Sequence, residues 1–360
     1  MIDELTKAGT ETQLVALIRH LDRARVEPYL CLLRGMDQRS RELEPADCPV
    51  LRLGVGSLSR PSALAAAWRL ARFLRRERID VFQAYFPEST YFGVPAAWLA
   101  GVPRIHRTRN NLGYWMTPWH RRLGRLCDLL SDGLVANCDA CRDAVVSDEG
   151  LAPERVTVLE NGVDLSRFPE VPAPARTGRV GVTANLRPVK GLDVFVRAAA
   201  EVAAAHPGAS FHLAGDGPLR DDLGQLGHEL GLGTRLALLG SMADVPGFLA
   251  GLDVAVLPSL SEGMSNALLE YMAAGRAVVA TAVGGNVRLI EDGVSGLLVP
   301  PGDAPRLAAA IGRLLSDSAL AARLGAAARQ RVEEHYSRPA MVRRFETYYL
   351  SLFGGRDGGR

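Results

Sequence analysis

Short apolar runs alternate with longer segments of helical periodicity along the whole chain. Eight runs rich in β-branched and aliphatic residues have the length of buried parallel strands. They cover residues 50–53, 81–83, 134–136, 156–159, 180–183, 210–214, 254–257 and 277–280. Between them, the 3.6-residue period predicts helices such as 62–78, 194–205 and 306–315. The alternation predicts an α/β fold in which right-handed crossovers cover parallel sheets with helices.

A break in this pattern at residues 168–179 divides the chain nearly in half. Three prolines and one glycine within these twelve residues indicate a stiff linker. We therefore predict an N-terminal domain over residues 1–165, a linker over 166–179 and a C-terminal domain over 180–337. Both domains are expected to be Rossmann-like, with parallel sheets that face a central cleft and bind ligands at the carboxyl ends of their strands. The amphipathic segment 338–353 is predicted to form a last helix.

The composition is that of an ordinary globular protein, with 48% apolar and 23% charged residues. Such a content of apolar residues excludes a largely disordered chain. The net charge of +2 is too small to indicate binding of nucleic acid. No run of 18 apolar residues and no signal peptide are visible, so we expect a cytoplasmic protein. Among the 42 basic residues only Lys7 and Lys190 are lysines, which makes Lys190 conspicuous in the middle of the chain.

Several common cofactor motifs are absent from the sequence. No predicted strand is followed by the G-x-G-x-x-G pattern, which counts against a nicotinamide dehydrogenase. The sequence has no Walker A motif and no Asp-x-Asp pair of the kind that clamps a metal and a diphosphate. The five cysteines are irregularly spaced, so a disulfide framework is not expected. Cys138 and Cys141 have the spacing of a redox or metal motif, but we interpret them as small residues at a strand–helix junction.

The segment 258–275, PSLSEGMSNALLEYMAAG, carries the clearest candidate chemistry. A strand ends at its start, and a helix is predicted between an N-cap at Ser265 and a terminating Gly275. The turn before this helix directs the backbone N–H groups of Gly263, Met264 and Ser265 outward. Together with the positive end of the helix dipole, these groups are suited to bind phosphate.

Two carboxylates flank that turn. Glu262 precedes the helix, and Glu270 lies one turn beyond Asn266 on the same helix face. A carboxylate beside a bound phosphate is repelled unless it faces neutral hydroxyl groups. The pair therefore fits a ligand with a diphosphate between two sugars, one of them a ribose. The alternative is that both are solvated charges favoured by the helix dipole.

Three more segments offer groups for an anion. The loop after the fifth predicted strand bears Arg187 and Lys190, and a compact ammonium suits a diphosphate leaving group, with a plain surface cation as the alternative. Gly9 and Thr10 begin a predicted helix and present N–H groups. Gly215 lies in a tight turn at a strand end, and a turn that binds no ligand is the alternative there.

These segments and several others resemble glycosyltransferase family 4, the retaining transferases with two Rossmann-like domains known as the GT-B fold. The matching segments follow the family's order and distances across the whole chain. They are NGVD at 161–164, LRPVKG at 186–191, AGDGPL at 214–219, Glu262 and Glu270 with seven residues between them, AG at 274–275, VGG at 283–285 and DGVSGLLVP at 292–300. The Glu pair alone is a weak signal, whereas the ordered set is specific.

The resemblance implies a role for each matching residue. Lys190 neutralises the diphosphate as it leaves, Glu262 lies beside the donor sugar, and Glu270 binds the ribose. The acceptor would attack the face from which the diphosphate leaves, so catalysis is mostly electrostatic. The implied catalytic residues are Lys190, Glu262 and Arg187. The implied donor-binding residues are Gly9, Thr10, Asn185, Gly215, Ser241, Met242, Gly263, Met264, Ser265 and Glu270, with the base near residues 239–242. In this family the last helix packs back on the N-terminal domain.

The chain departs from the family's pattern at three places. An Ala-Asn pair at 184–185 replaces a Gly-Arg pair, so one diphosphate arginine is missing and Arg187 is predicted to reach in. Where many members have a histidine near the acceptor, this chain has Arg109 followed by Asn110. Arg288 lies where many members have a glutamate. These departures favour altered chemistry at the site without excluding activity.

The segment 111–125, NLGYWMTPWHRRLGR, mixes aromatic residues with arginines in the domain where the family binds acceptors. We predict that Arg109, Asn110, Tyr114 and Trp115 lie near the acceptor. A lipid-linked sugar or a membrane surface would suit the aromatic and basic residues Tyr114, Trp115, Trp119, Arg121 and Arg122. The alternative is a packed junction between a loop and a helix.

The N-terminal domain has two further features. The segment 68–78 resembles a basic amphipathic face, as in membrane-binding helices, but we favour the solvated outer face of a core helix. Only Met1 and Ile2 precede Asp3, whereas relatives open with an apolar strand before the Gly-rich turn. We therefore expect the first strand to be missing, with the natural start upstream or the chain shortened.

The leading hypothesis is a retaining glycosyltransferase that moves a hexose from a UDP- or GDP-sugar to a glycan or lipid-linked acceptor in bacterial surface or exopolysaccharide synthesis. It is expected to need no metal or other cofactor. A lipid-linked acceptor would bring it to the inner face of the membrane through peripheral contact. One alternative is a catalytically degenerate member that binds nucleotide sugar as an interaction protein. Another is a different GT-B enzyme, such as a sugar-nucleotide epimerase, which would change the sugar with no acceptor present.

Overall fold

The computed structural model describes residues 1–6, 8–34, 38–169 and 177–353. Their contacts divide the chain into two compact units. Unit 1 comprises Met1–Asn161 and the segment that begins at Pro339, and unit 2 comprises Gly162–Arg338. Residues 170–176 of the predicted linker lie outside the described residues. Within the described ranges, no helix combines the length and the apolarity needed to cross a membrane.

Unit 1 alternates short parallel strands with helices. Its strands are β1 (Leu30–Leu32), β2 (Val50–Arg52), β3 (Val81–Ala84), β4 (Arg104–Arg109), β5 (Gly133–Ala136) and β6 (Val156–Val158). Its helices in the first part of the chain are α1 (Gly9–His20), α2 (Gln38–Leu43), α3 (Ser62–Arg76), α4 (Pro87–Ala100), α5 (Pro118–Leu130) and α6 (Asp139–Glu149). β1 pairs with β2, and a second sheet has the order β3-β4-β5-β6.

Residues 1–3 lie between these two sheets. The Ile2 N–H donates to the carbonyl of Cys31 (2.9 Å), and the Tyr85 N–H donates to the carbonyl of Met1 (2.8 Å). Cys31 belongs to β1 and Tyr85 directly follows β3, so this short segment joins the two sheets. The family resemblance implies a longer first strand before the Gly-rich turn, and the expectation that this strand is missing here stays a prediction.

Unit 2 is a second α/β unit with one parallel sheet. Its strands are β7 (Arg179–Thr183), β8 (Ser210–Ala214), β9 (Leu236–Gly240), β10 (Val254–Leu257), β11 (Ala277–Thr281) and β12 (Leu297–Val299). Its helices are α7 (Leu192–Ala205), α8 (Arg220–Glu229), α9 (Val245–Ala250), α10 (Asn266–Ala273), α11 (Asn286–Leu289), α12 (Ala304–Ser316) and α13 (Ser318–His335). The last helix of the chain, α14 (Arg338–Ser351), belongs to unit 1 apart from its first residue.

The strand order of unit 2 reverses between β7 and β10. The sheet runs β12-β11-β10-β7-β8-β9, so the chain first builds outward from β7 and then returns to build the other half from β10. Such a reversal separates the loops that leave the carboxyl ends of the two central strands. The crevice that forms there is the usual ligand site of an open α/β sheet.

The structure confirms the eight predicted strands to within about one residue, which is inside the usual uncertainty of element ends. It adds β1, β4, β9 and β12, which the hydrophobic pattern alone did not predict. The sequence of β4, RIHRTR, is missed because it is mostly basic, yet Arg107 and Arg109 are buried and ion-paired. All five cysteines are buried and free.

Helix α14 holds unit 1 together at its edge. Met341, Val342 and Phe345 pack against Leu17 of α1 and Leu21, which directly follows that helix. One turn later, Tyr348 and Tyr349 place their hydroxyl groups on the strands: the Tyr349 hydroxyl donates to Gln83 Oε1 (2.6 Å), and the Tyr348 hydroxyl lies 2.9 Å from His106 Nδ1. The helix therefore combines apolar packing with hydrogen bonds to β3 and β4.

The burial of His106 predicts acid sensitivity of unit 1. Burial lowers the pKa of His106 from its ordinary 6.5 to about 4. Because the unfolded chain binds this proton more readily, stability is lost as the pH falls from 6.5 towards 4. Between pH 7 and 4.5 the free energy of unfolding should fall by about 2 kcal/mol more in the wild type than in a His106→Gln variant. Urea titrations at both pH values measure this difference, with His228→Gln, at an exposed position of α8, as the control. An equal loss of unfolding free energy in all three proteins would contradict the prediction.

Candidate active site

Two loops meet at the strand-order reversal of unit 2. One follows β7 and ends in a single 3₁₀ turn, Pro188–Lys190, before α7. The other follows β10 and leads into α10. The Leu260 N–H donates to the carbonyl of Val189 (2.9 Å), which fixes the second loop against the first.

Glycines allow these loops to lie close together. Gly191 has a φ of +59°, and a Cβ there would lie 2.2 Å from the carbonyl oxygen of Pro258. Gly284, after β11, has a φ of +50°, and a Cβ there would lie 1.8 Å from the carbonyl oxygen of Glu262. Any larger residue would push the backbone of the β10 loop away. The matching glycines therefore serve to hold this loop in place.

Lys190 and Glu262 form the charged centre of the site. Lys190 Nζ lies 2.7 Å from Glu262 Oε1, and the Ser259 hydroxyl donates to the same oxygen (2.7 Å). The side chains are 25% and 10% exposed, respectively, so the ammonium keeps access to solvent while the carboxylate is nearly buried. An ammonium has three N–H donors, and one is used here. The others are available to a phosphate oxygen.

The start of α10 adds backbone donors next to this pair. Ser265 is the N-cap, and its hydroxyl accepts from the Leu268 N–H (3.3 Å), as predicted. Gly263, Met264 and Ser265 come just before the first helical residue, at the positive end of the helix. Since Glu262 precedes them directly, the carboxylate and the helix start belong to one short segment, and Lys190 reaches this segment from the β7 loop.

Glu270 lies further along α10. Burial raises the pKa of its carboxyl group, and Arg167 opposes that effect. A carboxylate with a raised pKa in a mostly apolar setting gains from hydroxyl donors, which satisfy its oxygens without adding charge. The ribose contact that the family resemblance implies for Glu270 stays a prediction.

The remaining predicted donor residues of unit 2 lie along the same sheet edge. Gly215, after β8, donates its N–H to the carbonyl of Gly240 (2.8 Å). Asn185 and Arg187 are exposed on the β7 loop. The Lys190 N–H donates to the carbonyl of Arg187 (3.0 Å), but no side-chain contact of Arg187 with the Lys190–Glu262 pair is seen among the described residues. Ser241 and Met242 are exposed directly after β9. In the strand order β9 is three places from β10, or about 14 Å at the usual strand spacing.

In unit 1 the structure brings together two of the predicted site residues. Helix α1 begins at Gly9, and the Asn110 side-chain amide donates to the Thr10 hydroxyl (3.3 Å). Asn110 directly follows β4, so the predicted acceptor loop and the predicted anion-binding helix start are neighbours at the carboxyl edge of this sheet.

Arg109 is part of a buried ionic network. Its Nη2 lies 3.0 Å from Glu149 Oε1, and Arg107 Nη2 lies 2.8 Å from Glu149 Oε2. Arg107 also binds Asp128, with Nε 2.6 Å from Oδ1. All four side chains are at most 9% exposed, and burial lowers the pKa of Arg109. The prediction of Arg109 as an acceptor contact therefore needs correction, because its guanidinium is tied to Glu149 inside the unit.

Arg109 instead shapes the loop that follows β4. Its Nε donates to the carbonyl of Asn111 (3.1 Å), and its guanidinium carbon lies 6.0 Å from the centre of the Trp115 ring. Trp115 Nε1 donates to the Asn111 side-chain oxygen (3.2 Å), which leaves the neighbouring Tyr114 62% exposed. Of the predicted acceptor residues, Tyr114 is the one with a free surface.

Some residues that hold the site were missed in the sequence. The Tyr271 hydroxyl accepts from the Thr183 N–H (2.6 Å) and so fixes α10 to the end of β7. Ser259 orients Glu262, and a hydroxyl three residues before this glutamate could have been predicted as its hydrogen-bond partner. Glu149 gives no local signal, since it lies 40 residues from Arg109 in sequence and meets it only in the folded unit.

Comparisons with known proteins give the wider context. Residues 8–167 match the family model of Glycosyltransferase Family 4, and residues 177–317 match that of glycosyl transferases group 1. A D-inositol 3-phosphate glycosyltransferase of Thermobispora bispora is 32% identical over 322 residues, which cover 80% of this chain and 72% of that relative. A UDP-Gal:alpha-D-GlcNAc-diphosphoundecaprenol alpha-1,3-galactosyltransferase of Escherichia coli is 28% identical over 277 residues, or 70% of each protein.

The fold is also that of a solved structure. The crystal structure of Anabaena HepE in complex with UDP superimposes with a TM-score of 0.86 at 22% identity. The match covers 97% of this chain and 98% of that protein. This likeness confirms the predicted GT-B class, an α/β fold with parallel sheets.

Proposed function

The chain belongs to the glycosyltransferases of family 4 and group 1, and on this premise we propose that it transfers a hexose from a UDP- or GDP-sugar with retention of configuration. The observation that carries the proposal is the Lys190–Glu262 pair at the strand-order reversal, in front of the α10 start. A cation, a carboxylate and the backbone N–H groups of a helix start at one point fit a diphosphate that is bonded to a sugar. UDP bound to HepE, a protein of the same fold, supports the choice of nucleotide.

The proposed reaction places negative charge on the leaving diphosphate. The bond between the anomeric carbon and the diphosphate oxygen breaks, and the acceptor hydroxyl forms a bond on the same face. Its proton passes to the leaving diphosphate. Lys190 and the amides of Gly263–Ser265 stabilise the charge that develops, which is the largest contribution to catalysis of this kind. Glu262 binds sugar hydroxyls and orients Lys190, and Glu270 binds the ribose.

We propose a lipid-linked or glycan acceptor that meets unit 1. The relative from Escherichia coli is named for a diphosphoundecaprenol acceptor, which supports this class. The loop after β4, with its exposed Tyr114, is the proposed contact. An acceptor on a lipid carrier would place the enzyme at the inner face of the membrane.

We further propose that the reaction uses no metal ion or other cofactor. Lys190 supplies a positive charge at the point where a divalent cation would otherwise neutralise the diphosphate. Transfer measured with and without a chelator tests this point separately from the transfer itself.

A transfer assay tests the proposed function. The full chain is incubated with UDP-glucose, UDP-galactose or GDP-mannose and a polyprenyl-diphosphate sugar, and NMR determines the configuration of the product. The proposal predicts that one donor gives an α-linked product. A β-linked product would overturn the retaining mechanism. If the donor sugar is converted into its epimer in the absence of any acceptor, the proposed transfer reaction is overturned.

A further inference from the structure

Helices α3, α4 and α5 lie side by side on unit 1, with α4 between the other two. Their outer faces carry large apolar side chains that the fold leaves in solvent. Seven of these side chains are between 56% and 79% exposed: Leu64, Trp68, Trp98, Leu99, Trp119, Leu126 and Leu129. Single exposed apolar residues are common, but a group of seven on three adjacent helices is an exposed patch that marks a binding surface.

On α5 the patch forms a regular stripe. Arg122, Arg125, Leu126 and Leu129 are exposed, at positions i, i+3, i+4 and i+7. The opposite side of the helix is buried through Gly124, Cys127 and Asp128. The helix therefore presents arginines and leucines along one outward face.

On α3 the same combination appears and extends to α4. Leu64 and Trp68 share a face, and the Arg72 guanidinium lies 5.4 Å from the centre of the Trp68 ring. At the other end of α3, Arg75 Nε donates to the carbonyl of Ala100 (3.2 Å) at the end of α4. Trp98 and Leu99 immediately precede that residue, so the C-terminal end of α3 and the exposed apolar pair of α4 lie next to each other.

The charge on this α3–α4–α5 face is strongly positive. Exposed arginines on it are Arg69, Arg72, Arg75, Arg76, Arg122 and Arg125. The three helices contain two acidic residues, and both are ion-paired: Glu88 pairs with Arg34, and Asp128 pairs with Arg107. Glu77, which directly follows α3, pairs with Arg76 (2.6 Å) and neutralises one of the six arginines. Since the whole chain has a net charge of only +2, the positive charge is concentrated here.

We propose that the α3–α4–α5 face binds an anionic lipid bilayer, lying in its interface. Tryptophan and leucine side chains partition into the headgroup boundary, while arginines bind lipid phosphates and keep their charge in water. A second copy of this chain fits less well, because a symmetric contact would bring the two sets of arginines together. None of the residues of this face belongs to the proposed sugar-transfer site, and lipid binding can be measured without turnover.

Sedimentation with vesicles tests the proposal on the full chain. The protein should sediment with vesicles of phosphatidylglycerol and phosphatidylcholine, remain in solution with phosphatidylcholine alone, and be released as salt is raised. A Leu64→Ser/Trp68→Ser variant and an Arg72→Glu/Arg122→Glu variant should each bind at least about tenfold more weakly. The matched controls on unit 2, Val294→Ser and Arg197→Glu, are exposed and should bind like the wild type.

Three outcomes would overturn the proposal. The first is wild-type protein that stays in solution with both kinds of vesicle. The second is binding that the face variants and the controls lose equally. The third is a doubled mass in the absence of lipid that the Leu64→Ser/Trp68→Ser variant abolishes, which would assign the face to a second copy. Nucleotide binding measured on the same variants separates this result from a failure of the proposed transferase function.

Discussion

Replacement of Lys190 by alanine is expected to lower kcat by about 10²–10³-fold while the fold persists. The ammonium lies 2.7 Å from Glu262 at the reversal of strand order, and its side chain is partly exposed. In the transition state the diphosphate gains negative charge, so loss of the cation weakens binding of the transition state more than that of the ground state. The variant also leaves Glu262 next to the diphosphate without its partner, which adds repulsion.

Two further variants make this result specific. Lys190→Arg keeps a positive charge but spreads it over a planar group, so it should recover only part of the rate. Arg197→Ala removes an exposed cation from α7, in the same unit, and should keep the wild-type rate. Steady-state kinetics with the preferred donor measure all three. A Lys190→Ala enzyme with the kcat of Arg197→Ala would refute the role of Lys190 at the diphosphate.

Replacement of Glu149 by glutamine is expected to lower the free energy of unfolding by about 3–5 kcal/mol. The carboxylate is fully buried and neutralises both Arg107 and Arg109. Without its charge, two buried guanidinium groups share only Asp128, and one positive charge is left uncompensated in a medium of low polarity. The substitution conserves shape, so the loss comes from charge and not from a cavity.

Urea unfolding measures this effect, with Glu154→Gln as the matched control. Glu154 lies in the same unit, five residues further on, but it is exposed. A Glu149→Gln loss no larger than that of the control would show that the network contributes little. The surviving folded enzyme should also have a raised KM for the acceptor, because Arg109 holds Asn111 and the loop after β4.

The donor half of the site was predictable because its residues are neighbours in sequence. The N-cap at Ser265 and the terminating Gly275 follow from local rules of helix capping, and the structure has both, with Gly275 at a φ of +64°. The proximity of Lys190 to Glu262 needed one more rule, that loops at the carboxyl ends of neighbouring central strands meet.

The unit 1 part of the site was less predictable because its contacts are long-range. Arg109 had the position of an acceptor residue in the chain, but its burial depends on Glu149, a residue whose sequence neighbourhood signals only the end of a helix. The sequence of β4, RIHRTR, likewise predicts an exposed segment, because the acidic partners of its buried arginines are distant in sequence. Hydrophobic periodicity predicts burial only for apolar side chains. It cannot predict that a charged side chain is buried against an oppositely charged partner.

The most direct test of the donor site is calorimetric titration of UDP, GDP and ADP into the wild type and into Glu270→Gln. The account predicts that the wild type binds UDP or GDP selectively, and that the variant binds it about tenfold more weakly or worse, since a hydrogen bond to a charged group is lost. Nucleotide binding of equal strength in both proteins, or no binding to the wild type at all, would contradict the placement of the nucleotide beside α10.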